Sequence, residues 1–208
     1  VDYLITGAWS KKAADYASYH SKLNIVADSS NNNFTDVSDT KNWNLSEQAN
    51  YFYYCANETI HGVEIHQIPD VKAPIVSDMS STLCTRPIDI DKYGLIFAGA
   101  QKNLGIAGLT IVIAKKSLIA SKSKKLPPLF RFESHYNEQS LLNTSPVFSW
   151  YVAGLVFEWI IEQGGLNAMS KLNKNKASLL YNYIDNSSLY QNKVNPKFRS
   201  WVNIPFIL

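Results

Sequence analysis

The chain has 208 residues, and 46% of them are hydrophobic, which is enough to form the core of one large domain or two small ones. Its formal net charge of +3, from 20 basic and 17 acidic side chains, is too balanced to indicate a nucleic-acid-binding surface. Its two cysteines, Cys55 and Cys84, are too few for a disulfide framework and indicate a reducing, cytoplasmic compartment.

Strand-like runs recur along the chain, and several of them are apolar on both faces, as buried parallel strands are. They span residues 1–5, 24–27, 51–55, 63–68, 73–77, 94–98 and 108–114. Residues 10–17 are predicted to form a helix between the first two runs, which gives a strand, turn and helix unit. Too few residues precede the last run for a crossover helix, so we expect that strand to be antiparallel in a mixed sheet.

Two helices are predicted near the end of the chain. The first begins at Pro146 and ends before Gly164-Gly165, and the second covers about 166–184. The hydrophobic window 147–161 is shorter than the ~20 residues of a membrane span and contains Glu158, so we expect a buried helix and no membrane insertion. The densest basic stretch, residues 115–125, indicates a solvated helix end or loop.

A lysine and an aspartate lie where two predicted strands end. Lys102 follows the apolar run 94–100 with only Gln101 between them, and Asp78 directly follows residues 73–77. A lysine whose stem leaves a buried strand is partly desolvated, which lowers the pKa of its amine and favours attack on a carbonyl. If the two strands are adjacent, both side chains reach one edge of the sheet. This pair indicates a site for pyridoxal phosphate.

Such a cofactor needs an amine, an acid for its ring nitrogen, an aromatic face and donors for its phosphate. Lys102 and Asp78 meet the first two needs. Trp9 follows a predicted strand and precedes a predicted helix, so its indole could lie at the same carboxyl edge, where open α/β folds bind ligands.

Other kinds of site are disfavoured by residue spacing. Residues 99–103 lack the phosphate-loop pattern, and residues 105–108 do not complete a dinucleotide fingerprint. No serine lies in a Gly-x-Ser-x-Gly elbow. His61 and His66 have no third ligand nearby, so we expect no metal site.

Several sequence motifs follow one another along essentially the whole chain. They are TGAW at 6–9, YCANETIHG at 54–62, SDMSS at 77–81, RPID at 86–89, AGAQKN at 98–103, LNT at 142–144 and NIPF at 203–206. Together they closely resemble the phosphoserine aminotransferase family, a branch of the class V aminotransferases that depend on pyridoxal phosphate. The resemblance implies an α/β fold of type I, in which helices cover both faces of a mostly parallel, seven-stranded sheet.

The resemblance also assigns roles to single residues. It implies that Lys102 forms the covalent link to pyridoxal 5′-phosphate and that Asp78 pairs with the ring nitrogen. Trp9 would stack on the ring, Thr59 would hydrogen-bond near the phenolic oxygen, and Gln101 would contact the phosphate.

The resemblance further implies a homodimer with shared active sites, since Asn143 and Thr144 would reach the phosphate of the neighbouring subunit's cofactor. The substrates would be O-phospho-L-serine and 2-oxoglutarate, in L-serine biosynthesis, with a further role in pyridoxine biosynthesis left open. Residues 1–202 would belong to the large domain and residues 203–208 would begin a small one. We therefore expect a central piece of a longer subunit, incomplete at both ends.

Two alternatives stay open at this point. One is another fold-type-I enzyme, such as a cysteine desulfurase or a different class V transaminase. Cys55 and Cys84 lie in apparent strands, and the motifs at 57–59 and 98–103 match the phosphoserine aminotransferases better. The other is a folded fragment without catalytic activity that only binds partners.

Overall fold

The structure is a computed structural model that describes residues 1–119 and 126–208. The basic stretch at 115–125 therefore lies partly outside the described residues. Its described part contains a short helix, Lys116–Ile119, which agrees with the predicted helix end.

A six-stranded mixed sheet forms the centre of the fold. The strands of the whole chain, in order, are β1 (Asp2–Ile5), β2 (Asn24–Asp28), β3 (Phe52–Cys55), β4 (Asn57–Glu58), β5 (Val63–Glu64), β6 (Ile75–Asp78), β7 (Tyr93–Gly99) and β8 (Thr110–Ala114). The main sheet has the order β2-β1-β3-β6-β7-β8. All its neighbouring strands are parallel except β8, which runs antiparallel to β7. The predicted mixed sheet is confirmed.

The predicted strand at 63–68 does not join this sheet. Instead β4 and β5 form a separate antiparallel ribbon, with Asn57 opposite Glu64 and Glu58 opposite Val63. Among the described residues the main sheet thus has six strands, rather than the seven that the resemblance implied. The predicted strand at 63–68 stays outside the main sheet because the few residues between Cys55 and Val63 suit a hairpin and are too few for a crossover between parallel strands.

Five α-helices are present in the described residues. They are α1 (Ala8–Ala17), α2 (Lys116–Ile119), α3 (Phe132–Asn137), α4 (Val147–Glu162) and α5 (Gly165–Asp185). Short 3₁₀ turns occur at Ser30–Asn32, Thr40–Asn42, Ile90–Lys92, Pro128–Phe130 and Pro196–Phe198. In the described part of the chain, no helix is both long and apolar enough to cross a membrane.

The two faces of the sheet form separate hydrophobic clusters, because side chains alternate along each strand. Tyr3 and Tyr53 lie on one face, where Ala14 of α1 packs against them. Leu4 and Phe52 lie on the other, together with Ile96, Leu104 and the partly buried Phe157 of α4. Helices thus contact both faces, and the predicted α/β class is confirmed.

The expectation that α4 is buried is wrong. Only Ser149, Ala153 and Ile160 of this helix are buried. Its exposed apolar side chains are Val147, Phe148, Trp150, Tyr151, Leu155, Trp159 and Ile161. Helix α4 contacts α5, and Ser149 Oγ donates a 2.8 Å hydrogen bond to Ala107 O, so the described chain covers one side of it and leaves the rest open.

The last residues return to the β4–β5 ribbon. Arg199 forms an isolated bridge with Val63, and Gln191 forms one with Ile207. The division into a large domain up to Val202 and a small domain from Asn203 stays a prediction.

Candidate active site

The amine of Lys102 lies at the carboxyl edge of the sheet, in the turn that follows β7. Its Nζ donates a 2.5 Å hydrogen bond to Thr59 Oγ1 and lies 5.6 Å from the centroid of the Trp9 ring. Lys102, Thr59 and Trp9 therefore lie together, although they belong to three separate sequence motifs. The expected desolvation is wrong, because Lys102 is exposed: its stem extends past the end of the strand into an open cleft.

Asp78 is the last residue of β6 and lies between Cys55 of β3 and Phe97 of β7 in the sheet. Its Oδ1 accepts hydrogen bonds from Ser80 N at 2.8 Å and from Ser80 Oγ at 2.6 Å. Ser80 Oγ in turn accepts from Gly99 N at 3.1 Å. In the described residues, Oδ1 accepts both hydrogen bonds to this carboxylate. Oδ2 can therefore accept a hydrogen bond from a further donor.

Cys55, at the end of β3, is affected electrostatically by both Asp78 and Lys102. Burial raises the pKa of the Cys55 thiol well above its usual value, and the carboxylates of Glu58 and Asp78 raise it further. The ammonium of Lys102 acts in the opposite direction and lowers it. One thiol at the end of β3 thus lies within electrostatic range of both groups. Its raised pKa also argues against a role for Cys55 as a reactive thiolate.

The start of α1, which carries Trp9, is held by the buried side chain of Glu58. Glu58 Oε2 accepts from Trp9 N at 2.9 Å, and Oε1 accepts from Ser10 N at 2.8 Å. The indole of Trp9 is 40% exposed and faces the lysine. No role for Glu58 could be predicted from the sequence, because its neighbours Asn57 and Thr59 are also polar and the pattern gives no sign that its side chain is buried.

A cleft of about 490 Å³ opens beside Lys102, between the turn that carries it, α5 and residues 201–204. Its lining includes Thr59, Asn103, Asn173, Lys176 and Asn203. Asn57 Nδ2 donates to Asn203 Oδ1 at 2.7 Å and to Ser81 Oγ at 2.9 Å. These polar contacts could not be predicted from the sequence. Only the Asp78-x-Ser80 spacing, typical of a side chain that caps the backbone two residues later, was readable in advance.

The remaining predicted residues lie at the surface. Gln101 is exposed directly before Lys102, and its amide lies over Gly99. Asn143 and Thr144 are exposed in the loop before α4. Among the described contacts, none joins Asn143 or Thr144 to Lys102. Their assignment to a neighbouring subunit's site stays a prediction.

This donor set fits pyridoxal phosphate, with a primary amine, a carboxylate with a free oxygen, an exposed indole face and a hydroxyl in one place. It does not resemble a metal centre. No group of three or more His, Cys, Asp or Glu side chains in the described ranges could hold a metal ion.

Comparisons with known proteins identify relatives of the chain. The chain is 46% identical over 207 residues to the phosphoserine aminotransferase of Ruthia magnifica subsp. Calyptogena magnifica, a match that covers 100% of the chain and 58% of the relative. The phosphoserine aminotransferase structure from Bacillus circulans subsp. alkalophilus has a TM-score of 0.96 at 38% identity and is matched over 99% of this chain and 58% of its own.

The phosphoserine aminotransferase from Trichomonas vaginalis, solved with bound PLP, has a TM-score of 0.94 at 43% identity and is matched over 99% of this chain and 58% of its own. The chain thus spans about 58% of the length of the curated relatives that it matches. The family model described as aminotransferase class-V matches residues 1–208. The chain therefore belongs to the class V aminotransferases.

Proposed function

We propose that the protein is a phosphoserine aminotransferase, which moves the amino group between O-phospho-L-serine and 2-oxoglutarate in L-serine biosynthesis. Pyridoxal 5′-phosphate is its cofactor. The observation that carries this proposal is the meeting of Lys102 Nζ, Thr59 Oγ1 and the Trp9 ring at one sheet edge. The relatives of that name, which match 99–100% of this chain, support it.

Four residues would hold the cofactor ring and its reactive atoms. Trp9 offers an indole face on which the ring stacks. Asp78 Oδ2 would accept a hydrogen bond from the N–H of the cofactor ring, and the two hydrogen bonds from Ser80 to Oδ1 fix the orientation of the carboxylate. Thr59 supplies a hydroxyl near the phenolic oxygen, and the amine of Lys102 makes the covalent link. When bound, the cofactor supplies a carbonyl that condenses with amines and a ring that accepts electrons from the substrate Cα–H bond.

The proton transfers fall to Lys102. With the cofactor bound, the neutral amine of Lys102 would take the proton from the substrate Cα as a general base and would return it as a general acid. Thr59 Oγ1, at 2.5 Å, orients Nζ for both transfers. Asp78 supports them by keeping a proton on the ring nitrogen, which makes the ring a stronger electron acceptor. The 2-oxoglutarate half-reaction uses the same residues in the reverse order.

The phosphate of the cofactor would be bound by Gln101 from the same chain and by Asn143 and Thr144 from a second one. We therefore propose a homodimer with shared active sites. Two observations support it: Asn143 and Thr144 are exposed, and they lead directly into α4, whose exposed apolar side chains need a partner. We also propose a cytoplasmic location, which agrees with the free thiols of Cys55 and Cys84.

Spectroscopy of the purified protein tests the assignment. We expect an absorption band near the edge of the visible range that borohydride bleaches and that Lys102→Ala removes. Lys176→Ala is the matched control, since Lys176 lines the same cleft and should leave the band in place. Addition of O-phospho-L-serine should shift the band and produce 3-phosphohydroxypyruvate.

The same experiment separates the alternatives. A band that responds to cysteine and not to O-phospho-L-serine would assign the chain to another fold-type-I enzyme. A protein that binds no pyridoxal phosphate would refute the enzymatic proposal altogether.

A further inference from the structure

We propose that Glu58 is a positioning residue, which holds the first turn of α1 so that Trp9 stays against the cofactor ring. This inference rests on the proposed function and adds to it the group that sets the place of the indole. Glu58 does not touch the reacting atoms. It acts through the backbone of Trp9.

The contact between Glu58 and α1 is short and fully buried. Glu58 is 0% exposed, and each of its carboxylate oxygens accepts one backbone N–H, from Trp9 at 2.9 Å and from Ser10 at 2.8 Å. Hydrogen bonds to an ionised acceptor are roughly twice as strong as neutral ones, and the start of a helix favours negative charge. The carboxylate therefore fixes the helix start both by direction and by charge.

The other amides at this helix start have weaker, uncharged acceptors. Thr6 N and Gly7 N donate to Ser10 Oγ at 2.9 and 3.2 Å, and Ala8 N donates to His61 Nδ1 at 3.4 Å. Within the described chain, Glu58 is the one carboxylate that accepts from these amides. It is thus the main determinant of where this turn lies.

Gly7 leaves room for the Glu58 carboxylate to approach the start of α1. A Cβ atom added at Gly7 would lie 2.4 Å from Glu58 Cδ and 2.6 Å from Oε2. The lack of a side chain at Gly7 is therefore what lets the carboxylate reach the helix.

The position of the indole depends on its backbone. Trp9 is 40% exposed, and its ring contacts in the described chain are with the ammonium groups of Lys12 and Lys102, at 5.9 and 5.6 Å. Such contacts are too weak to fix a large side chain at an exposed site. The backbone of Trp9, which Glu58 holds, therefore sets the point from which the indole extends.

Glu58 also links the two walls of the cofactor site. The next residue along the chain, Thr59, accepts from Lys102 Nζ. Two consecutive residues of one ribbon therefore position the indole through Glu58 and the amine through Thr59.

The chain contains a matched control. Glu64 lies in the partner strand of the same ribbon and is also buried, at 1% exposure. Its carboxylate contacts Arg86 Nε at 3.3 Å and Trp201 N at 2.9 Å, and none of its hydrogen-bond partners among the described residues is in α1. Glu64→Gln thus makes the same chemical change in the same ribbon without touching the helix that carries Trp9.

A double-mutant cycle tests the proposal. The dissociation constant of pyridoxal phosphate is measured by titration of the cofactor-free protein for the parent, Glu58→Gln, Trp9→Phe and the double variant. The amide introduced by Glu58→Gln turns an N–H₂ group toward one of the two backbone N–H groups, so we expect cofactor binding to weaken about tenfold. In the Trp9→Phe background the same change should weaken it by less than about twofold, because the side chain that Glu58 positions is already altered.

Energy transfer gives a second readout. Excitation transfer from tryptophan to the bound cofactor, taken as the difference between each protein and its Trp9→Phe counterpart, should fall in Glu58→Gln. Energy transfer should stay unchanged in Glu64→Gln. The effect of Glu64→Gln on the dissociation constant of the cofactor should be equal in the parent and in the Trp9→Phe background. Glu58→Asp, which keeps the charge and withdraws the carboxylate, takes the place of Glu58→Gln if the latter fails to fold.

The outcomes distinguish the inference from the function on which it rests. Equal weakening by Glu58→Gln in both backgrounds, or unchanged energy transfer, overturns the positioning role and leaves the aminotransferase proposal standing. A parent protein that binds no pyridoxal phosphate refutes the proposed function itself.

Discussion

Replacement of Gly7 by alanine should destabilise the fold severely. The new Cβ would lie 2.4 to 2.6 Å from three atoms of Glu58, whereas two carbon atoms pack best at about 3.5–4.0 Å. The Glu58 side chain must therefore move by about 1 Å. It is 0% exposed, so it cannot turn into solvent, and a shift of this size breaks its bonds of 2.9 and 2.8 Å to Trp9 N and Ser10 N.

The size of the effect follows from those bonds. Each hydrogen bond to a charged group contributes about 1.5–3 kcal/mol, so the loss of both lowers the free energy of unfolding by about 3–6 kcal/mol. This is a large part of the roughly 5–15 kcal/mol that stabilises a typical domain. Denaturant unfolding of Gly7→Ala and of the parent, followed by far-ultraviolet circular dichroism, measures the difference.

Gly154→Ala is the control, because a Cβ added at Gly154 in α4 meets no atom within 4 Å. In a subunit whose α4 face is uncovered, this change should stabilise by up to about 1 kcal/mol through helix propensity. A Gly7→Ala protein that unfolds within about 1 kcal/mol of the parent would refute the reasoning, since the carboxylate would then have room to move.

Three further predictions follow from contacts described above. Ser80→Ala removes the 2.6 Å hydrogen bond to Asp78, and we expect kcat with O-phospho-L-serine to fall about tenfold because the carboxylate is less well oriented. Tyr151→Glu places a charge on the exposed face of α4 and should weaken subunit association by at least about thirtyfold in sedimentation velocity. The Arg199 guanidinium, which hydrogen-bonds both oxygens of Asp185, lowers the pKa of that carboxyl below 3.8, so the stabilisation lost in Asp185→Asn should be present above pH 3.8 and disappear as pH falls below it.

Controls for these variants lie elsewhere on the surface. Tyr19 is 79% exposed outside α4, so Tyr19→Glu should leave association unchanged, and a dimer that survives Tyr151→Glu would place the interface elsewhere. An unchanged kcat in Ser80→Ala would show that Asp78 is held by its backbone alone. For Asp185, unfolding of the parent and the variant between about pH 2 and 7 should give curves that converge at low pH. A gap that widens there would contradict the assignment.

The sequence was informative wherever the signal was local. Lys102 and Asp78 lie at or just beyond the ends of two apolar strands, and the ends of parallel strands meet at one edge, so their placement could be predicted from pattern alone. The position of Trp9 between a predicted strand and a predicted helix pointed to the same edge, whereas Thr59 required the resemblance to a known family. Their meeting depends on turns whose geometry a pattern does not contain.

The contacts that hold the site together could not be predicted, because they join distant parts of the chain. Glu58 bonds to Ser10 across 48 positions, and Asn57 bonds to Asn203 across 146. The prediction that α4 is buried was wrong for a related reason. The composition of a helix shows that it is apolar, but only the packed structure shows whether other residues cover it. The exposure of Lys102 could not be predicted for the same reason, because it depends on how the turn after β7 packs against the rest of the chain.

The ribbon that carries Thr59 has a consequence for the order of folding. Its Glu64 carboxylate accepts from Trp201 N, 137 positions away, and its Asn57 amide contacts Asn203. On the ribosome, the sheet up to β8 can assemble well before residues 199–203 emerge, but the ribbon then lacks these partners. Such distant contacts carry a large loop-closure entropy and form slowly. The nascent protein therefore passes through a stage in which the sheet is built while the cleft beside Lys102 still lacks residues 201–204.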